Sequence, residues 1–468
     1  MKCLITIPLL LLFFSSIIYS CREDYDASDA TQDLTFSQKE IEMSTVFTNI
    51  TSSTYVLKVY NKQGDDVNIP SVSLQNGSNS YYNIEVNGQQ NSTQKIENVL
   101  IRKNDSIQIY VTINAKSATS SPYTDAIIFN LGGKTQTVNL KAPVENAAII
   151  QDTSGTNTLN SNTTWDASQA KIIKNDVVVK SGNTLTINAG THLYFAKNAH
   201  LIIENGATLT TNGSLSEKVT FRGERTEPQY DSLFGTWGGI ELKTNATASM
   251  KNTIVKGAKT AISLTQSKLT LENTEIYNSN TYGILANNST INAINTAVNQ
   301  AAAASVFLYN GGNYDFTHCS LVNYWLPIGS IDFKEYEFSV YLSNTDGKGS
   351  FNNLTANFAN SILYSKDKDG LYMAVDTSKS AVTLNFESNL INATNSDAAD
   401  FTQSIFKNTI ANQNPLLANP FLFSTNNLQL TATSPALNKG NSTYTSKAPL
   451  DITGKTRASS SDLGAYEF

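Results

Sequence analysis

Cysteine is almost missing from this chain: three occur in 468 residues, at positions 3, 21 and 319. Two of them lie in the first twenty-one residues, so neither a disulfide framework nor a cysteine metal cluster can organise the body of the protein. Histidine is as scarce, with three residues, and proline is sparse, with 10. An excess of basic charge is lacking too: 33 Lys and Arg stand against 39 Asp and Glu. Without a basic stripe to neutralise phosphates, nucleic acid is excluded as a partner. After the N-terminus no apolar run is long enough to cross a bilayer. What replaces these features is a long chain rich in Asn, Thr and Ser, enough for two or three domains.

The one long apolar run extends from Leu4 through Ile18, follows a single charge at Lys2, and ends at Ile18-Tyr19-Ser20-Cys21. It is shorter than the roughly 20 residues that a bilayer core requires, so residues 1–20 read as a signal peptide. A small residue directly before a cysteine meets the needs of a lipoprotein signal peptidase. The segment resembles a bacterial lipobox, although Tyr19 is bulkier than usual, and the alternative is an ordinary secretory signal with an incidental cysteine. The resemblance implies an acylated Cys21 anchored in the lipid bilayer. Removing residues 1–20 takes away Lys2 alone, leaving 32 basic against 39 acidic side chains, a net charge of −7. Arg22 follows the cysteine, and residues 21–32 form an acidic tether. In Gram-negative lipoproteins these features imply the outer membrane, facing the exterior. Cys319 is then the one thiol left.

From 33 to 143 apolar residues alternate, most clearly in Ile107-Gln-Ile109-Tyr-Val111-Thr-Ile113, which puts every second side chain on one face. Tyr55 to Tyr60, Asn83 to Val86, Ala126 to Leu131 and Thr135 to Lys141 follow the same rule, separated by turn-formers such as Asn76-Gly77-Ser78. About seven short strands without a helical period predict an immunoglobulin-like β-sandwich, acting as a spacer or a partner-binding module.

A different order begins near residue 146. Leucines recur at Leu185, Leu193, Leu201 and Leu209, a spacing of eight, and Ile187, Phe195 and Ile203 follow two residues on. Gly182, Gly190, Asn198 and Gly206 stand three residues before each leucine, and these residue types accept the positive φ of a tight corner. Strand and corner at a period of eight describe a three-faced coil with about 24 residues per turn. A second register follows in Asn252-Thr253-Ile254-Val255, Asn273-Thr274-Glu275-Ile276, Asn295-Thr296-Ala297-Val298 and His318-Cys319-Ser320-Leu321, with later copies at Asn360 and Ser388. One turn per repeat stacks Thr253, Thr274, Thr296 and Cys319, and about ten turns at ~4.8 Å give a rod on the order of 45 to 50 Å. The expected fold class is therefore all-β: the sandwich, then a right-handed parallel β-helix over 146–468 with a C-terminal cap from about 410.

Several segments carry a resemblance. Trp237-Gly238-Gly239-Ile240, Gly311-Gly312-Asn313-Tyr314-Asp315 and Asn323-Tyr324-Trp325 look like the right-handed β-helix proteins common among surface lipoproteins of gut bacteria. Ser434-Pro435-Ala436-Leu437-Asn438-Lys439-Gly440, Asp451-Ile-Thr-Gly454-Lys-Thr-Arg457 and Asp462-Leu-Gly464-Ala465-Tyr466-Glu467-Phe468 resemble the terminal segment of the choice-of-anchor Q family. That family is described as extracellular repeat proteins whose activity is largely unassigned, so the resemblance implies fold and location more than chemistry.

Parallel β-helices include polysaccharide lyases and glycoside hydrolases, which need clustered carboxylates. Residues 240–325 hold only Glu241, Glu272, Glu275 and Asp315 as acids, and the stacked Asn-Thr copies offer neutral amides instead. No catalytic residue, metal ligand or cofactor is expected there. His318 fits the Asn ladder better than a catalytic role, while His192 and His200, eight apart, decorate equivalent corners. Asp367-Lys-Asp369-Gly370 begins like a calcium loop, but position twelve is Ser378, so a turn is expected.

Recognition is sought in two insertions. The first, 222–236, gathers Arg222, Arg225, Tyr230 and Asp231 before Trp237. The second, from Tyr324 to about Asn357, brings Trp325, Asp332, Tyr336 and Tyr341. Aromatic faces beside carboxylates suit sugar rings, although the same aromatics could cover the flank of the coil. Asp451, Arg457, Asp462 and Glu467 are expected to form an ion-pair network closing the last turn. The resulting expectation is a monomeric, non-catalytic surface lipoprotein binding polysaccharide or a host surface glycan. A polysaccharide lyase or glycoside hydrolase is the alternative.

Overall fold

The computed structural model describes residues 27–468 apart from 31, 119–120, 327–337, 394–399 and 422–425. Cys21, Asp332 and Tyr336 lie outside the described residues. The chain divides into two compact units between Val144 and Glu145.

In the first unit, Thr35–Phe36, Tyr55–Tyr60, Ser106–Ile113 and Tyr82–Val86 form one sheet. Ser28–Asp29, Val67–Leu74, Tyr123–Asn130, Thr135–Ala142 and Glu40–Glu42 form a second, with Lys95–Ile101 also paired to Val67–Leu74. Ile109, Val111 and Ile113 are fully buried in one core with Leu57, Ile69, Ile127 and Val138. The alternation thus does what the period of two dictates, placing one face of each sheet inward. The result is a β-sandwich.

The second unit is a right-handed parallel β-helix. Its first face stacks eleven strands from Ala147–Ile150 to Ile410–Ala411. The second and third faces merge into one sheet of 17 strands, because Tyr282–Ile294 and Ala304–Thr317 each turn the corner without leaving the ladder. Leu185, Leu193, Leu201 and Leu209 fall on the third, first, second and third faces, and Leu185 pairs with Leu209 one turn later. All four are fully buried, each contributing about 1.5–3 kcal/mol from apolar burial. The corners have the backbone that the residue types require: φ is 78° at Gly182, 73° at Gly190, 69° at Asn198 and 71° at Gly206.

The Asn-Thr signature has its own physical cause. Asn252, Asn273, Asn295, His318, Asn360 and Ser388 all turn from the third face to the first with φ between 45° and 54°, a region that asparagine tolerates better than most residues. Their amides then bond along the coil. Asn273 Nδ2 donates to Asn252 Oδ1 at 3.2 Å and Asn295 Nδ2 donates to Asn273 Oδ1 at 3.0 Å. His318 is the rung where imidazole replaces the amide, its Nε2 2.9 Å from Asn360 Nδ2. Beside it Cys319 is a core residue, and burial pushes its thiol up to about 12.

Both insertions fall at the same point in the repeat, after a first-face strand and before a second-face strand. The second is shorter than expected. Phe338–Ser343 and Leu354–Ala359 are regular rungs, so that insertion covers residues 324–337 rather than reaching Asn357.

The C-terminal segment also departs from expectation. It lies along the outside of the first face instead of closing the last turn. Ala297, Val322, Ile362 and Leu390 point outward there and form a separate apolar cluster with Leu428, Ala436, Ile452, Leu463 and Ala465. Four outward apolar residues on successive rungs need cover, which the tail supplies. Arg457 bonds Glu467 Oε2 at 3.3 Å, Gly464 O at 3.0 Å and Asn295 Oδ1 at 3.0 Å, joining the tail to the asparagine ladder. Asp451 accepts from Thr453, Lys455 and Glu467 backbone N–H groups, and Asp462 from those of Asn438 and Phe468. The four charged residues therefore fold and dock a lateral brace.

Two outcomes follow from this arrangement. Arg457→Ala leaves Glu467 buried without its cation and should cost on the order of 3 kcal/mol, read as a lower urea midpoint; an unchanged midpoint would remove the brace from the account of stability. His318 is buried beside Arg457, and these two causes lower its pKa from 6.5 to about 3. The unfolded chain then takes up a proton below pH 6.5 that the folded chain refuses. Stability from this site is complete above pH 6.5 and falls as pH drops toward 3, by a few kcal/mol. His318→Asn should flatten that part of the stability profile, and equal slopes for both proteins would contradict it.

Candidate functional site

The first insertion brings four of the sequence-selected residues together. Arg222 is the penultimate residue of the first-face strand Val219–Gly223, while Tyr230 and Asp231 belong to the short helix Pro228–Asp231. Arg222 Nη1 lies 3.0 Å from Asp231 Oδ1, and Lys256 Nζ lies 2.6 Å from the same oxygen. Arg225 forms a forked pair with Glu227, its Nη2 2.8 Å from Oε1, and its guanidinium covers the Tyr230 ring at 4.1 Å. Arg222, Arg225, Tyr230, Asp231 and Lys256, with Leu233 and Thr236, line a small half-open cleft of about 10 Å³. The cleft has room for about one water.

Strand register explains why the cations meet. Tyr194 pairs with Arg222, Phe221 with Val255, and Lys256 with Tyr277, so Tyr194, Arg222, Lys256 and Tyr277 occupy one outward column on four successive rungs. Burial, then the Arg222 charge, lowers the Lys256 pKa, while Asp231 opposes the shift. Burial followed by Glu145 raises that of Tyr194. Lys256, Tyr194, Tyr277 and Glu227 are absent from the sequence-derived set. Extending the Asn252/Asn273 repeat back to Val219 would have put Arg222, Lys256 and Tyr277 in one column.

The two tryptophans do not face this cleft. Trp237 is 1% exposed and stacks on Phe195 inside the coil at 4.4 Å, its Nε1 donating to Lys256 O at 2.9 Å. Trp325 is 3% exposed and packs on Phe234 of the first insertion at 4.6 Å. Both entered the candidate set as sugar-facing aromatics; burial leaves them as supports. His192 and His200 stand on different faces instead of equivalent corners of one. His192 Nδ1 lies 2.8 Å from Glu145, whose hydrogen bond raises the imidazole pKa, and His200 Nδ1 lies 3.2 Å from Asp176.

A second recess lies where the second face turns into the third. Thr244, Asn245, Gln266, Ser267, Lys268, Asn288, Ser289 and Thr290 line an open groove of about 350 Å³. It offers hydroxyls, amides and one ammonium. Among the described residues no group of three His, Cys, Asp or Glu side chains could hold a metal ion. No described helix is long and apolar enough to cross a membrane.

A family model described as a pectate-lyase like beta helix domain matches residues 155–265, a span that includes the first insertion. No curated protein matches. Among solved structures, the ASH / PapD-like domain of human CEP192 (PapD-like domain 7) matches at 15% identity, covering 25% of this chain and 87% of that one, with a TM-score of 0.16, too low to compare folds. The chain thus carries a parallel β-helix similar to the pectate-lyase like domain, a fold compatible with a protein that binds or acts on polysaccharide.

Proposed function

We propose that this protein binds polysaccharide at the cell surface without cleaving it. In this reading acylated Cys21 and the acidic tether of residues 21–32 hold a monomer to the outer membrane, facing outward, and the first insertion contributes the contacts. The observation that carries it is the pairing of the acids around the cleft. Glu224 is held by Lys174 at 2.6 Å, Glu227 by Arg225 at 2.8 Å, Glu275 by Lys218 at 2.6 Å, and Asp231 by Arg222 and Lys256. A hydrolase needs carboxylates placed to give and take protons at one bond, and a calcium-dependent lyase needs them converging on a metal. Carboxylates each spent on a cation support binding instead. A surface of hydroxyls, amides and cations still serves the hydroxyl-rich edge of a sugar chain.

The match to a pectate-lyase like domain favours a second reading, a polysaccharide lyase or hydrolase, and one experiment separates the two. The purified chain should retain plant or host glycans on an array while chromatography of the same glycans finds no shortened products. Products would establish catalysis, and neither retention nor products would defeat both readings.

A further inference from the structure

We infer that Arg222 and Lys256 form a subsite for an anionic group on the bound glycan, a carboxylate or a sulfate ester, with Asp231 holding the two cations together. This rests on the polysaccharide reading above. The charge count around the cleft is the first support. Arg222 and Lys256 share a single carboxylate oxygen, Asp231 Oδ1, at 3.0 and 2.6 Å. The neighbouring acids are engaged elsewhere: Glu224 with Lys174, Glu227 with Arg225, Glu275 with Lys218 and Glu145 with His192. Two cations on one carboxylate leave a net positive charge at the cleft.

Burial makes that charge count. The side chains of Lys256 and Arg222 are 12% and 17% exposed, so water screens them less than it screens a surface pair. Tyr277 and Tyr194 hold the cations from either end of the column, their ring centroids 6.0 Å from Lys256 Nζ and 5.9 Å from the Arg222 guanidinium carbon. Arg222 also donates from Nη2 to Arg225 O at 3.0 Å and from Nε to Gly223 O at 3.4 Å, which fixes the guanidinium and leaves it the second N–H of each terminal nitrogen, while Lys256 adds a movable point charge, a combination suited to an oxyanion. The space at Asp231 admits about one water, the size of one oxygen of a carboxylate or sulfate. Asp231 itself sits on the insertion, so the loop that shapes the cleft supplies the internal carboxylate against which an external one is selected.

Isothermal titration of the purified full chain with glucuronate, glucose 6-sulfate and glucose tests this directly. One or both anions should bind at least tenfold more tightly than glucose, and which of them does so distinguishes carboxylate from sulfate. Asp231→Asn raises the local charge and should tighten anion binding severalfold. Lys256→Met should abolish the preference, and Lys256→Arg, which keeps the charge, should retain most of it; thermal unfolding checks that each variant is folded. Equal affinity for all three sugars, or a preference that survives Lys256→Met, would overturn the subsite. An array that captures neutral glycans together with charge-blind titration defeats the subsite alone. A blank array defeats the polysaccharide reading and the subsite with it.

Discussion

Parallel stacking governs this molecule: each side chain must coexist with its equivalent one rung away, at about 4.8 Å. Inside the coil the rule gives columns of like residues. Phe316, Phe358, Phe386 and Phe406 stack in sequence with centroids 5.0, 5.2 and 4.9 Å apart. At the corner it turns a strained backbone into an amide ladder. Outside, like charges on adjacent rungs would repel, and Lys180 instead faces Glu204 at 2.7 Å while Lys251 faces Glu272 at 2.8 Å.

Because a regular rung has no freedom to differ from its neighbours, irregular chemistry is pushed to places where the chain leaves the stack. Residues 224–238 leave at the first corner, and the tail lies on the outside of the first face. The glycine at 223 shows how tightly the departure is built: a Cβ there would fall 2.4 Å from Thr236 Oγ1, across the base of the insertion. The loop can therefore close over Arg222 and Lys256 only because its two ends meet.

The fold was legible because its periods are simple. Leucines eight apart identified three faces, and Asn-Thr pairs about 22 apart identified the later rungs. Val67–Leu74 and Lys95–Ile101 were harder to read. Pro70 interrupts the first, and the structure tolerates it because pairing with Tyr123–Asn130 ends at Ser71. The brace was hidden for another reason. Sequence similarity located its residues but not the surface that receives them. The available signal was apolar pairs where one apolar residue is expected: Leu321-Val322, Ile362-Leu363 and Leu390-Ile391 bury both sides of their strands, the mark of a sheet covered on both faces. The four insertion residues were found by composition, but Lys256 was not, since only register brings a residue 34 positions away beside Arg222.

The aromatics carry the most instructive difference between sequence and structure. A tryptophan next to charged residues suggests a sugar platform, because a sugar stacks on an exposed ring face. In a ladder, ring faces are consumed by neighbours. Phe307 and Tyr341 lie 4.2 Å apart and within 3° of parallel on the outside of the second face, and Tyr341 continues onto Tyr372 at 5.6 Å and 12°. Such a column presents edges to solvent. Arg225 covers Tyr230 in the same way, and Trp237 is inside the coil. With ring faces occupied, these surfaces offer hydroxyls, amides and charge, so in the proposed polysaccharide reading discrimination at the cleft rests on hydrogen bonds and on Arg222 and Lys256 more than on stacking.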